Sequence, residues 1–160
     1  MLRESQFRRA KEFSEVGKSL MIVGTEWLID ASGCRPETLR DTTALRRMFD
    51  CIISDLKLQV VGEQMWHCFP TPGGITGLAL LTESHLACHT YPEFRTATIN
   101  LYCCRERAEW PWAERLAEIL GAQSVTVRVS HRVVPDEQTI HTNTSSTAEP
   151  VSPSIIGGGW

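Results

Sequence analysis

The sequence predicts an α+β fold, a two-layer sandwich in which a mainly antiparallel sheet carries two helices on one face. Three observations lead there. The chain orders its elements strand, helix, several strands, helix, strand, and that order segregates the helices to one side of the sheet. Ala97, Ile99, Leu101 and Cys103 alternate with Thr98, Asn100, Tyr102 and Cys104, the period of two of a strand. Leu39, Leu45, Met48, Phe49, Ile52, Ile53 and Leu56 recur at helical spacing, which lays one helix face on a sheet. With both helices on one side, the other sheet face stays uncovered. Its apolar strands predict that two protomers stack sheet to sheet.

Residues 1–18 form a charged N-terminal extension, and the folded domain is expected over 19–134. Residues 20–29 make the first strand, closed by the turn Ala31-Ser32-Gly33. Arg35-Pro36-Glu37 opens the first helix, with proline and an acid in its first turn. Residues 58–69 are the next strand, alternating imperfectly. The turn 70–74 feeds an apolar strand over 75–82, expected to be buried on both faces. Strands follow at 86–91 and 96–104. Trp110-Pro111-Trp112 starts the second helix, which runs through Leu120 and ends at Gly121. The last strand covers 124–134, with Val125, Val127 and Val129 on one face. Residues 135–160 are polar, rich in Ser, Thr and Pro and glycine-ended, and are expected to be a disordered tail.

At 160 residues the chain is one domain, large enough to bury a core. The net charge of −3 argues against a general nucleic-acid binder, which should be basic. No apolar run is long enough to cross a bilayer, and residues 1–18 lack a signal-peptide core, so a cytoplasmic location is expected. In that reducing compartment the Asn143-Thr144-Ser145 sequon is a chance match. The six cysteines are then expected as free thiols, most of them buried in the core. Gly73-Gly74-x-x-Gly77 lacks the lysine and spacing of a phosphate-binding loop.

The chemistry concentrates in Thr82-Glu83-Ser84-His85-Leu86-Ala87-Cys88-His89-Thr90-Tyr91-Pro92-Glu93. A serine beside an acid, with two histidines just beyond, has the makings of a self-cleavage site. The Ser84 hydroxyl can attack the carbonyl carbon of Glu83, exchanging the amide for an ester by an N-to-O acyl shift. A base that then takes the serine α-proton drives β-elimination and breaks the chain. The resulting dehydroalanine hydrolyses to a pyruvoyl group, a ketone made from the protein itself. Such a ketone condenses with a substrate amine and withdraws electrons from the adjacent carbon, the role that PLP plays elsewhere. The plainer reading is a Ser-His pair at a strand end that only makes hydrogen bonds.

Over residues 24–134 the chain resembles the prokaryotic S-adenosylmethionine decarboxylase proenzymes. The resemblance rests on Gly74-Ile75-Thr76-Gly77, the block Glu83 to Glu93, and Asn100-Leu101-Tyr102-Cys103-Cys104-Arg105. It implies a four-layer αββα homodimer, cleavage between 83 and 84, and a pyruvoyl group derived from Ser84, with no metal expected. The substrate would be S-adenosylmethionine, with neither nucleic acid nor membrane as partner. It further implies His89 as the base that removes the serine α-proton, a task that suits an imidazole. An offset of five puts Ser84 and His89 on opposite faces of one unbroken strand, so a bend or hairpin between them is expected. Cys104 matches the thiol that reprotonates the substrate carbon, while Cys103 and Cys88 are core thiols and His85 a structural hydrogen-bonding residue. Thr76 stands where the family has a serine that holds the Glu83 carbonyl; its extra methyl stiffens χ1 and should slow processing. Of Glu83 itself only the carbonyl takes part. Glu93 matches the carboxylate that binds the ribose hydroxyls, and Phe69 either stacks on adenine or belongs to the core.

Asn100 replaces the family's aspartate, Arg105 its glycine and Tyr91 its tryptophan. Arg105 adds a cation beside the site, which favours a carboxylate. The resemblance also extends to members of the superfamily that act on ornithine or arginine, which are therefore alternative substrates. Two other classes remain: an unprocessed partner subunit that only dimerises, which Thr76 leaves open, and a zinc module. Zinc sites of the usual kind need paired C-x-x-C or C-x-x-H knuckles, which this chain lacks.

Overall fold

The computed structural model describes residues 20–135. The expectations for residues 1–18 and for the tail beyond Pro135 lie outside the described residues. The compact unit that carries the site is Ile22–Val133; of the other unit only Leu20, Met21, Val134 and Pro135 are described, as strand ends.

Six strands form one sheet in the order β2-β3-β4-β5-β1-β6. They are β1 (Leu20–Ser32), β2 (Met65–Cys68), β3 (Ile75–Leu81), β4 (Ser84–Tyr91), β5 (Thr96–Cys103) and β6 (Ser124–Pro135). The pairs β1–β5, β2–β3, β3–β4 and β4–β5 are antiparallel. Helices α1 (Pro36–Leu39), α2 (Thr42–Asp55) and α3 (Trp112–Leu120) supply Leu39, Leu45, Met48, Phe49, Ile52, Leu116 and Leu120 to a single core. The sheet meets them with Trp27, Ile29, Ala31, Ile75, Ala79, Leu86, Ala97, Ile99 and Leu101. This is the expected α+β sandwich, with every helix on one face.

Three elements depart from expectation. The first helix is broken at Arg40-Asp41, because the Asp41 carboxylate accepts from Thr43 N–H at 2.8 Å and caps a new helix. The strand expected over 58–69 is reduced to an isolated bridge at Val60 and the short β2. Gly62, at φ 75°, turns the chain between them. Strand β3 is not buried on both faces, since Leu78 and Leu80 are 39% and 56% exposed. The open sheet face is therefore partly apolar.

Two motif glycines and one motif threonine prove to be packing devices. A Cβ on Gly77 would meet the Trp66 ring, and one on Gly74 the Thr90 carbonyl oxygen. Thr90 Oγ1 donates to Leu39 O and accepts from Ile75 N–H, both at 2.8 Å. That fully buried hydroxyl fastens β3, β4 and α1 together. At the other end of the helical layer, the Asp55 carboxylate accepts from Trp110 Nε1 at 2.9 Å and Arg115 Nη2 at 3.1 Å. The Trp110 bond, then Arg115, holds that carboxyl below its usual range.

Candidate active site

Strands β3 and β4 join through the two-residue turn Thr82-Glu83, since Leu81 pairs directly with Ser84. Hairpins this tight favour turns with positive φ at the first or both loop residues, which match the strand twist. Neither Thr82 nor Glu83 has positive φ; the backbone adjusts at Ser84 instead, at φ 156°. Few residues other than glycine adopt that conformation. The bond that enters Ser84 thus sits where this hairpin is least relaxed.

The carbonyl at that bond is already held. Ser84 lies opposite Cys103 in the β4–β5 ladder, so the next residue of β5's strand path reaches over the turn. Cys104 N–H donates to the Glu83 carbonyl oxygen at 3.1 Å. A fixed N–H aimed at a carbonyl under attack is an oxyanion-hole donor. The Cys104 side chain is an exposed free thiol, and Ser84 Oγ lies 3.1 Å from His85 Nδ1. Burial pushes the other nearby thiols up, Cys88 to about 12 and Cys103, with the Glu83 charge adding, to about 11. Both therefore hold their protons near neutrality, as core thiols do.

Glu83 contributes more than its carbonyl. Its side chain is buried and ion-paired with Arg107 Nη2, while Glu83 Oε2 and Arg107 Nε have no partner among the described residues. Arg105, the cation expected here, is exposed; the charge beside the turn is that of Arg107. Removing one member of a buried pair strands the other. Arg107→Met is expected to destabilise the chain by about 3 kcal/mol, with Glu83→Gln/Arg107→Met recovering most of it, as thermal unfolding would measure.

The remaining site residues gather at the far end of the same hairpin. Thr76 pairs with His89 across β3–β4, and Thr76 Oγ1 lies 2.7 Å from His89 Nδ1. The Phe69 ring meets His89 edge-on at 5.5 Å, and the Tyr91 ring lies 4.5 Å from that of His89. Phe69 is 42% exposed, which rejects its reading as a core residue. Glu93 is exposed on the 3-10 turn Pro92–Phe94 that follows.

No bend separates Ser84 from His89. Every residue of β4 from Ser84 to Tyr91 keeps its partner on β5, and the β3 ladder runs unbroken over Ser84 to His89. A bend would break both ladders at once. Five residues of strand set the two side chains about 16 Å apart. Within one protomer Thr76 accordingly meets His89, not the Glu83 carbonyl. Among the described residues no three His, Cys, Asp or Glu side chains converge in a metal-holding group, and no helix is long and apolar enough to cross a membrane.

Comparison with known proteins identifies the family. The S-adenosylmethionine decarboxylase proenzyme of Pyrococcus furiosus is 27% identical over 128 residues, covering 79% of this chain and 91% of the relative. The arginine decarboxylase proenzyme of Ignicoccus hospitalis is 30% identical over 116 residues, covering 71% and 80%. The fold matches the crystal structure of the adenosylmethionine decarboxylase from Aquifex aeolicus with a TM-score of 0.61 at 23% identity, over 72% of this chain and 95% of that one. The pattern of the S-adenosylmethionine decarboxylase family extends over residues 25–133. The chain thus belongs to the S-adenosylmethionine decarboxylase family, whose members are pyruvoyl-dependent decarboxylases.

Proposed function

We propose that the chain cuts itself between Glu83 and Ser84 and then decarboxylates S-adenosylmethionine, giving the aminopropyl donor for spermidine synthesis. The observation that carries this reading is the Cys104 N–H bond to the Glu83 carbonyl, with the Ser84 hydroxyl beside it. Attack of Ser84 Oγ on the Glu83 carbonyl carbon places negative charge on an oxygen that already has a donor. Collapse breaks the C–N bond and leaves Glu83 esterified to Ser84. Loss of the Ser84 α-proton then expels the Glu83 carboxylate, and hydrolysis with release of ammonia leaves the keto group at residue 84.

The surroundings fit that group: residue 84 stands at a strand end, its backbone anchored by β5, with an exposed thiol next to its β5 partner. When formed, the ketone supplies the electron sink for loss of carbon dioxide from an α-amino acid. Cys104 Sγ holds the proton that returns to the α-carbon. Cys104→Ala is therefore a variant that still cuts itself.

Ser84 and His89 lie too far apart in one protomer to share a reaction, yet both belong to the reading. A homodimer resolves this. Two copies stacked through the open sheet face, with strands opposed, bring His89, Thr76, Phe69 and Glu93 of one to the start of β4 in the other. There Ser84 pairs with buried Cys103 by register, but its Oγ reaches His85 Nδ1, and so that face. The exposed Leu78 and Leu80 on that face support such stacking, which makes the αββα arrangement. No membrane or nucleic acid enters the reaction, and the cytoplasm is its proposed location.

The Glu93 carboxylate, exposed on the turn that follows Tyr91, favours a nucleoside substrate, since it can accept from both ribose hydroxyls. Glu93→Gln should raise KM for S-adenosylmethionine about tenfold with little change in kcat. The Ignicoccus relative favours arginine as the second reading. Carbon dioxide release by the processed protein from S-adenosylmethionine, arginine and ornithine in turn decides between them; release from none sinks both.

A further inference from the structure

We infer that His85 is the base that takes the Ser84 hydroxyl proton in the acyl shift, held in the required tautomer by Asn100 and Glu26. The inference rests on the self-cleavage reading and assigns its first step, which that reading leaves without a base. His85 is the imidazole in contact with the Ser84 hydroxyl, whereas His89 Nδ1 is engaged by Thr76.

A chain of four side chains starts at Ser84, at the end of β4, and crosses three strands, its other three members on the open face. Ser84 Oγ lies 3.1 Å from His85 Nδ1, His85 Nε2 lies 2.8 Å from Asn100 Oδ1, and Asn100 Nδ2 donates to Glu26 Oε1 at 2.9 Å. Arg132 pairs with the other Glu26 oxygen. Register explains the meeting: His85 faces Tyr102 across β4–β5, Glu26 faces Tyr102 across β1–β5, and Asn100 is the diagonal neighbour of both. Tyr102 stands edge-on to His85, with the Arg132 guanidinium over its ring.

The polarity of this chain follows from its far end. A carboxylate only accepts, so the Asn100 amide nitrogen must point at Glu26 and its oxygen at His85. That oxygen also only accepts, so His85 Nε2 carries the proton. In the neutral ring Nδ1 is then the lone-pair nitrogen, and it faces Ser84 Oγ. The network thus aims a base at the nucleophile in the manner of an oriented Ser-His pair. As Oγ bonds to the Glu83 carbon, its proton passes to His85 Nδ1; as the C–N bond breaks, the same proton is available to the departing Ser84 amine. The step is redox-neutral and needs no co-reactant.

The test follows the ester, which hydroxylamine cleaves, in full-length protein sampled from the moment of synthesis. His89→Ala should stall after the first step and give a chain that hydroxylamine cuts between 83 and 84. His85→Ala/His89→Ala should form that ester about 100-fold more slowly, with added imidazole restoring part of the rate. Asn100 supplies a positioning arm. In the His89→Ala background Asn100→Asp keeps an acceptor for Nε2–H, whereas Asn100→Leu does not and should slow ester formation about tenfold. Thermal stability should run the other way, because a second carboxylate beside Glu26 costs more than an apolar isostere. A purely structural Asn100 would make rate follow stability. Ester formation by the His85 variant at the His89→Ala rate overturns the assignment while self-cleavage stands. A wild-type chain that never cuts removes the underlying reading, and the assignment with it.

Discussion

Ser84→Ala is expected to leave the chain in one piece and to abolish decarboxylation. Without the hydroxyl there is no nucleophile for the Glu83 carbonyl, no ester and no keto group. The loss in kcat should exceed about 10⁴-fold, since the chemistry resides in that group and enzymes of this kind act by factors of 10⁶ or more. The fold should survive. The Ser84 side chain is half-buried and its one side-chain hydrogen bond goes to His85, so stability should change by no more than about 1 kcal/mol. A denaturing gel and intact mass measure the first effect, and thermal unfolding the second. Two fragments from Ser84→Ala, with termini at 83 and 84, would show that another group cuts the bond and would remove Ser84 from the mechanism.

The elements legible in the sequence are those whose side chains repeat with one period. Strand β5 buries Ala97, Ile99, Leu101 and Cys103 in turn, and α3 lies between Trp112 and Gly121, where the residues alone put it. The break in the first helix was hidden because Asp41 sits inside a continuing apolar period, and only the Asp41–Thr43 bond turns it into a cap. Strand 58–69 failed because Gly62 and its polar neighbours interrupt the ladder that Val60 starts. Half of the cysteines, not most, are fully buried; Cys68 and Cys104 lie on the surface.

At the site, the motif around Ser84 was legible, whereas its neighbours were not. Cys104 drew notice for its thiol, yet its backbone N–H touches the bond in question, and only the β4–β5 register reveals that. His85, Asn100 and Glu26 are 15 and 74 residues apart along the chain and meet through a diagonal across three strands. An aligned sheet is needed to find them, although the adjacency of Ser84 and His85 was a usable signal. Arg107 lies in the loop between β5 and α3, where no period operates, and nothing in the sequence marks it as the partner of Glu83.

The spacing of Ser84 and His89 yields the sharpest test of all. If two copies stack as proposed, the unbroken β4 gives each protomer one half of two sites: the nucleophile end and the base end of the same hairpin. Ser84→Ala alone and His89→Ala alone should each give no keto group. Made together in equal amounts, with tags of different length, they should complement. A mixed dimer pairs the intact Ser84 of the His89→Ala chain with His89 of the partner subunit, while its second site lacks both groups. Random pairing places about half of the His89→Ala chains in such dimers. About half of those chains, and none of the Ser84→Ala chains, should then yield a fragment starting at 84 that reacts with hydrazine. The gain is from zero, so a small yield is readable above background. If the mixed dimers form and no such fragment arises, the base must act within its own protomer, and β4 would have to come apart for the reaction to occur.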